Sequence, residues 1–521
     1  MQVKAIQMLG RLSEHGLDIE LDVIHHNRTL ESFWRSASNI EKRDDKHHSH
    51  DDNFHDNYTK PAGHVDSQAN GSVLQTGIST TEFANVCKQM GVVSDAIVRA
   101  APITPTQEWL LEFSLQGGMI LANSVYEVDG EDVESGLAQI TELLEAKIPI
   151  FRSTIVQVGK QKAYDQLLLK KGNPLWIRTS NLDEYFHTTF TERLKLGGSP
   201  IQCAIVQNDK AHEGKMFFVI SIQHSFFDVF SRSIMERDIL QILQTPDEYA
   251  QEPERPWYGD FAKHMRSLPD YENKLSQYWS KYLDGAEFSN IHPQSLASPS
   301  GFQDGVIQWS RLEVPVSASA QQTPLVLTAW TIALARQSGL RDIVFGLARH
   351  GRSHPFQNIR RTIGPFLSLT PIRLRLGGER AHPETVRELV QRMQGEILDT
   401  ARWEQGAIPG VYPDDKGNPW VQTWVNVKSE LYTMGNGYRE GNASKRISKF
   451  VPRSDLHPLW MKSHWAVCLL IYFKHDGVEA CAGYRTSLIG HDKAKNLFAD
   501  FKVLIKELAD EAGNTVDGLL K

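Results

Sequence analysis

The stretch Lys215–Leu243 changes period once, and that change limits the folds open to the chain. "KMFFVISI" is an unbroken apolar run of strand length, whereas "VFSRSIMERDILQIL" spaces Ile234, Ile239 and Leu243 along one helical face. A buried strand must therefore run almost directly into an amphipathic helix, and the polar cluster Gln223, His224 and Asp228 falls at the seam. A histidine at a strand end just before a helix can be held rigidly beside a cleft, where its near-neutral imidazole accepts a proton from an amine or a hydroxyl. The same residues also fit a plainer reading, in which Asp228 caps the helix and His224 is a satisfied strand-end histidine.

The rest of the chain sets the frame for that seam. At 521 residues it exceeds what a single core ordinarily holds, so two large lobes are expected. Strand patterns such as "SVYEVDG", "IQCAIVQ", "DIVFGLA", "TPIRLRL", "VQTWVNV" and "AVCLLIYF" mix with helical ones such as "VESGLAQITELLEA", "TPLVLTAWTIALARQSG" and "KAKNLFADFKVLIKELADEAG". There is no strict βαβ rhythm among them, so the expected class is α+β rather than a doubly wound parallel sheet. Residues 1–36 read as two short helices, too few for a core of their own, and 37–92 as a polar, disordered linker. Its histidines, His47, His48, His50, His55 and His64, are read as solvated rather than as a metal site.

Composition narrows the partners. A net charge of −7 gives no electrostatic reason to expect nucleic acid. No stretch spans a membrane without a charge and the N-terminal "MQVKAIQMLGRLSEHG" has no apolar h-region, so the cytoplasm is the expected location. Cys87, Cys203, Cys468 and Cys481 have no metal-ligand spacing and read as reduced core residues; Cys203, in an apolar strand without an adjacent base, is no nucleophile.

The seam then gains company. The residues from Gln223 to Val229 resemble the HHxxxDG core of nonribosomal peptide synthetase condensation domains, and the resemblance extends over nearly all of residues 95–510. "PITPTQEWLL" looks like the family's opening signature, "IFRSTIV" its segment around Arg152, "GGSPIQCAIV" the strand leading to the histidine motif and "QYWSKYLDGA" its inter-lobe helix. "DIVFGLARHGRSHPFQNIRRTIGPFLSLTPIRLRL" matches the late motifs through Phe345, Gly346, Gly351, Arg352, Gly364, Pro365, Pro371 and Arg373. The N-terminal helices resemble the end of a peptidyl carrier domain, with the modifiable serine falling at Gln2.

The resemblance implies two chloramphenicol-acetyltransferase-like lobes, 93–275 and 276–521, forming a V-shaped pseudo-dimer around a central tunnel. It implies His224 as the catalytic histidine, Asp228 as a structural carboxylate paired with an arginine, and Arg152 or Arg352 as that arginine. No cofactor is bound directly; the phosphopantetheine arm arrives on a peptidyl carrier domain bearing the acyl or peptidyl thioester. Two departures stand out. Gln223 replaces the first histidine and could keep its hydrogen bonds but not its titration, and Val229 replaces the glycine, where a β-branched side chain resists positive φ. Fungal terminal condensation-like domains vary at the first position too, and their trailing serine is matched by Ser231. With nothing carrier-like after the second lobe, release of the chain by an amine, often as macrocyclisation, is the expected task, and ester formation uses the same histidine. A non-catalytic recruitment domain is the rival favoured by Gln223 and Val229; a free-standing HxxxD acyl-CoA transferase is disfavoured by the missing "DFGWG".

Overall fold

Apolar strand turns to helix at Gln223 in the computed structural model, as the period change requires. It describes residues 87–88, 90, 94–115, 121–158, 163–186, 195–286, 305–312, 322–377, 383–406, 421–429, 446–453, 465–474, 477–510 and 515–520. These belong to one compact unit, Val73–Ser317 with Gln322–Lys521. The carrier-like helices of 1–36 and nearly all of the linker of 37–92 with its histidines lie outside the described residues.

The first half is built on a five-stranded sheet in the order β12-β2-β7-β6-β5. Its strands are β2 (Leu121–Asp129), β5 (Leu175–Thr179), β6 (Ile201–Asp209), β7 (Lys215–Gln223) and β12 (Lys449–Pro452), antiparallel except for the β5/β6 pair. Strand alternation sends Phe218, Ile220 and Ile222 to one face. There helices α2 (Val133–Lys147) and α3 (Val229–Gln244) close a core with Leu137, Ile140, Leu144, Ile234 and Ile239. Phe217 and Val219 face the other side, against Leu182, Tyr185 and Phe186. A small antiparallel sheet of β1 (Ile97–Pro102), β3 (Ser153–Val158) and β4 (Ala163–Leu169) stands apart, and α1 (Pro105–Leu115) follows β1.

The second half holds a six-stranded mixed sheet, β10-β9-β11-β13-β14-β8, from β8 (Gly305–Leu312), β9 (Asp342–Arg349), β10 (Ser368–Arg375), β11 (Thr423–Ser429), β13 (Val467–Lys474) and β14 (Gly477–Tyr484). Helices α6 (Gln322–Ser338), α7 (Val386–Ala401) and α8 (His491–Asp510) cover one face. Helix α6 is apolar all round because it lies at the centre of that layer, with every residue from Pro324 to Ala335 buried. The other face meets α5 (Tyr271–Tyr282), whose Tyr271, Leu275 and Trp279 pack on Val344, Trp424 and Cys468. Trp109 of α1 reaches the same cluster, its ring 5.9 Å from that of Trp465, so this face looks toward the first half.

The mixed α+β arrangement agrees with the sequence reading. One feature was not foreseen: β12, which follows β11 in the chain, leaves the second half's sheet and completes that of the first, pairing Phe450 with Val128. All four cysteines are free and buried. No described helix is long and apolar enough to cross a membrane.

Candidate functional site

His224 sits on a loop of five residues, 224–228, that is fastened at both ends. At its start the Gln223 N–H donates to the Pro200 carbonyl (3.0 Å) and the Gln223 carbonyl accepts from the Phe226 N–H (2.9 Å). Phe226 and Phe227 then plunge into the core, 3% and 0% exposed. Between them and the histidine, the Ser225 carbonyl accepts from the side-chain amide of Gln107 (3.0 Å). Gln107 is itself locked: its Oε1 accepts from the Thr104 N–H (3.1 Å) and from Nε2 of Gln166 (3.3 Å). His224 keeps part of its surface open among these buried neighbours, while its Nδ1 is buried. Burial holds the imidazole below the ordinary histidine value, outweighing the opposite pull of its backbone surroundings and of Asp228. It is thus neutral near pH 7 and able to take a proton.

Asp228 performs both tasks that the sequence suggests for it. As the N-cap of α3 it accepts from the Ser231 N–H (2.6 Å). The same carboxylate accepts from the guanidinium of Arg352 (3.1 and 3.3 Å) and from the Phe366 N–H (3.0 Å). Arg352 is 3% exposed, lies between the rings of Phe230 (4.5 Å) and Phe366 (4.1 Å), and donates to the carbonyls of Ile359 (2.7 Å) and Thr362 (2.8 Å). Ser231 ties the same knot: its hydroxyl donates to the Gly364 carbonyl (2.9 Å) and accepts from the Gly364 N–H (3.0 Å) and from Arg352 (2.9 Å). A buried ion pair with this many hydrogen bonds joins the helix after the histidine to the second half at one fixed place.

The glycines of the late motifs follow from this closeness. Gly351 has φ +66°, and a Cβ there would lie 1.5 Å from the Phe366 carbonyl oxygen. At Gly364 a Cβ would enter the ring of Tyr258, whose hydroxyl lies 3.1 Å from that of Thr104 beside α1.

Of the residues singled out from the sequence, Gln223, His224, Asp228, Ser231 and Arg352 come together. Arg152 does not join them and is not the partner of Asp228. It ends a 3-10 turn, donates to the carbonyls of Glu145 (3.1 Å) and Leu169 (3.0 Å), and pairs with Glu254. Gln223 acts through its backbone, and its side chain forms no hydrogen bond among the described residues. Val229 is simply the first residue of α3, and positive φ is not needed there. Cys203 packs in the core, its thiol pushed up to about 12 by burial. Trp465 belongs to the aromatic cluster, 5.1 Å from Trp424. Gln107, inside "PITPTQEWLL", is the site residue that the sequence reading misses.

Comparison with known proteins gives the family. The model of the condensation domain family matches residues 178–511, and the chain belongs to that family, the acyltransferase-type, amide-forming domains of nonribosomal peptide synthetases. It is 38% identical over 535 residues to nonribosomal peptide synthetase 8 of Gibberella moniliformis, covering 99% of this chain and 93% of that protein. To nonribosomal peptide synthetase ALT12 of Alternaria alternata it is 36% identical over 527 residues, again 99% and 93%. Among solved structures, the crystal structure of holo T3CT superposes with a TM-score of 0.61 at 17% identity, covering 84% of this chain and 99% of that one. The condensation domain from the monacolin K polyketide synthase MokA gives 0.58 at 13% identity, covering 80% and 99%. The fold is therefore the chloramphenicol-acetyltransferase-like one of condensation domains.

Proposed function

We propose that the chain releases a carrier-bound peptidyl or acyl thioester by attack of an amine, as macrocyclisation or amide formation, with His224 orienting or deprotonating the nucleophile. The observation that carries this reading is a neutral, partly open imidazole on a loop fixed by Gln107 on one side and by Asp228, Ser231 and Arg352 on the other. The nucleophile's nitrogen lone pair attacks the thioester carbonyl carbon while its proton passes to the imidazole; with Nδ1 buried, Nε2 is the nitrogen left for substrate. The tetrahedral species collapses, the C–S bond breaks, and the leaving thiolate takes up the proton. Asp228, Ser231 and Arg352 touch no reacting atom in this scheme and position the histidine. The phosphopantetheine arm enters as part of the substrate, delivered by a peptidyl carrier domain in the cytoplasm. A hydroxyl nucleophile runs through the same steps to an ester.

The test compares the wild-type chain with His224→Ala on a peptidyl thioester of a phosphopantetheine mimic, following release by mass spectrometry. Removal of a general base lowers such transfer roughly 10²–10⁴-fold. Equal release by the two proteins would replace the enzyme reading with recruitment of a carrier.

A further inference from the structure

Two cations face the junction of the halves, and neither has a counter-ion among the described residues. Arg232 lies one turn into α3, its N–H donating to the Asp228 carbonyl (3.1 Å), and its Nε is buried with no partner. Lys428 lies on β11, and strand alternation fixes where it points. Val425 faces the core under α6, α7 and α8, whereas Trp424 faces α5 and the junction, so Lys428, an even number of residues from Trp424, shares the junction face. Cys481 of β14 shares that face, since its neighbours Ala480 and Ala482 lie in the opposite core.

Burial and the nearby Arg232 guanidinium bring the Lys428 ammonium down to about 8, and among the described residues the other titratable group acting on it is the Cys481 thiol. Arg232 also acts on His224. Neither cation has an ion pair or a side-chain hydrogen bond among the described residues, and Asp228, the carboxylate nearest the motif, is committed to Arg352. Two like charges held half-buried with no anion beside them among the described residues disfavour the folded chain, and such a pair beside a reactive histidine marks a site for a ligand of opposite charge.

We propose that Arg232 and Lys428 form an anion-binding subsite for a carboxylate carried by the substrate beside the reacting thioester, on the acyl chain or on the acceptor. The assignment rests on His224 being the transfer site. The phosphate of the arm is excluded as the occupant because it sits at the far end of the arm from the thioester, whereas Arg232 is within electrostatic reach of His224.

The test pairs donors that differ by carboxylate against carboxamide, succinyl-pantetheine and succinamoyl-pantetheine, and acceptors that do the same, glycine and glycinamide. Binding and transfer are measured for wild type, Lys428→Met, Arg232→Gln and His224→Ala. In wild type the charged member of one pair is favoured by about tenfold or more, as for hydrogen bonds to charged groups. In Lys428→Met and Arg232→Gln that ratio falls toward one. His224→Ala keeps the binding ratio while losing transfer, so failure of the transfer reading is told apart from failure of this one. Lys428→Met also melts at or above the wild-type temperature in the absence of substrate, because an uncompensated charge has gone. A charged-to-neutral ratio near one in wild type, or one that survives both substitutions, overturns the proposal. So does an effect confined to phosphopantetheine over pantetheine, which would return the site to the arm's phosphate.

Discussion

Replacing Arg352 by methionine should damage this protein more than any change at its surface. The guanidinium donates to two carbonyls through one nitrogen and to Asp228 and Ser231 through another, all of it buried. Methionine fills the space between Phe230 and Phe366 but leaves the Asp228 carboxylate in the interior without its cation. Removing one partner of such a pair costs about 3–5 kcal/mol. Because Asp228 keeps the N–H groups of Ser231 and Phe366, the lower end applies, about 3 kcal/mol, or on the order of a hundredfold in the folding constant. Urea denaturation of wild type, Arg352→Met, Asp228→Asn and the double variant measures both the loss and the coupling. The double variant should be less destabilised than the sum, since the neutral asparagine no longer needs a cation and can still cap α3. Arg352→Lys should recover only part of the loss, because an ammonium cannot reach both sets of acceptors at once. A wild-type midpoint for Arg352→Met, or strict additivity in the double variant, would refute the reasoning.

Two further outcomes follow from the same geometry. Gln107→Leu leaves the Ser225 carbonyl without its donor and should cost roughly 1–3 kcal/mol in denaturation; acyl transfer should fall further than stability does, because the histidine loop loses its hold, and an unchanged kcat would remove Gln107 from the site. His350 and His354 are both held by burial near 4 rather than 6.5, helped by Arg352 and Arg360 at the first and by His264 at the second. Their folded-state values are depressed, so the unfolded chain binds protons first and stability, full above about pH 6.5, drops as the pH falls toward 4. The urea midpoint measured from pH 8 to pH 4.5 should show that decline, and the His350→Gln, His354→Gln double variant should flatten it; an equal decline in the variant would place the acid sensitivity elsewhere.

What could be read from the residues alone was local. β7, α2, α3, α6, β9 and β13 announce themselves through long apolar runs or a 3.6-residue period, and Asp228 through its place before α3. β14 does not, because "GVEACAGY" is built of small residues and owes its strand to pairing with β13 and β8. "KFVP" is a strand only because β2 lies beside it. The same limit applies at the site. Whether Arg152 or Arg352 meets Asp228 depends on contacts across 124 residues of chain, and the grip of Gln107 on Ser225 spans 118. Residue types restrict such pairs; only the fold selects one. The cations at 232 and 428 escaped notice for the same reason, since each alone resembles an ordinary surface charge.

The loan of β12 to the first half's sheet bears on how such proteins can be taken apart. Its four residues cap the outer edge of β2, and Glu127 on that strand is clasped by Lys449 (2.6 Å) and Arg453 (2.6 Å) from the loaned segment. A first half expressed by itself would carry a bare row of strand donors and acceptors along β2, the kind of edge that recruits a second copy. Grafting one half onto a foreign counterpart meets the same obstacle, because the incoming piece must bring a strand whose register and charges suit the host's border. Exchange of acceptor preference between relatives is therefore better attempted by keeping the host's residues 446–453 with its first half and replacing the rest of the second than by cutting cleanly between the lobes.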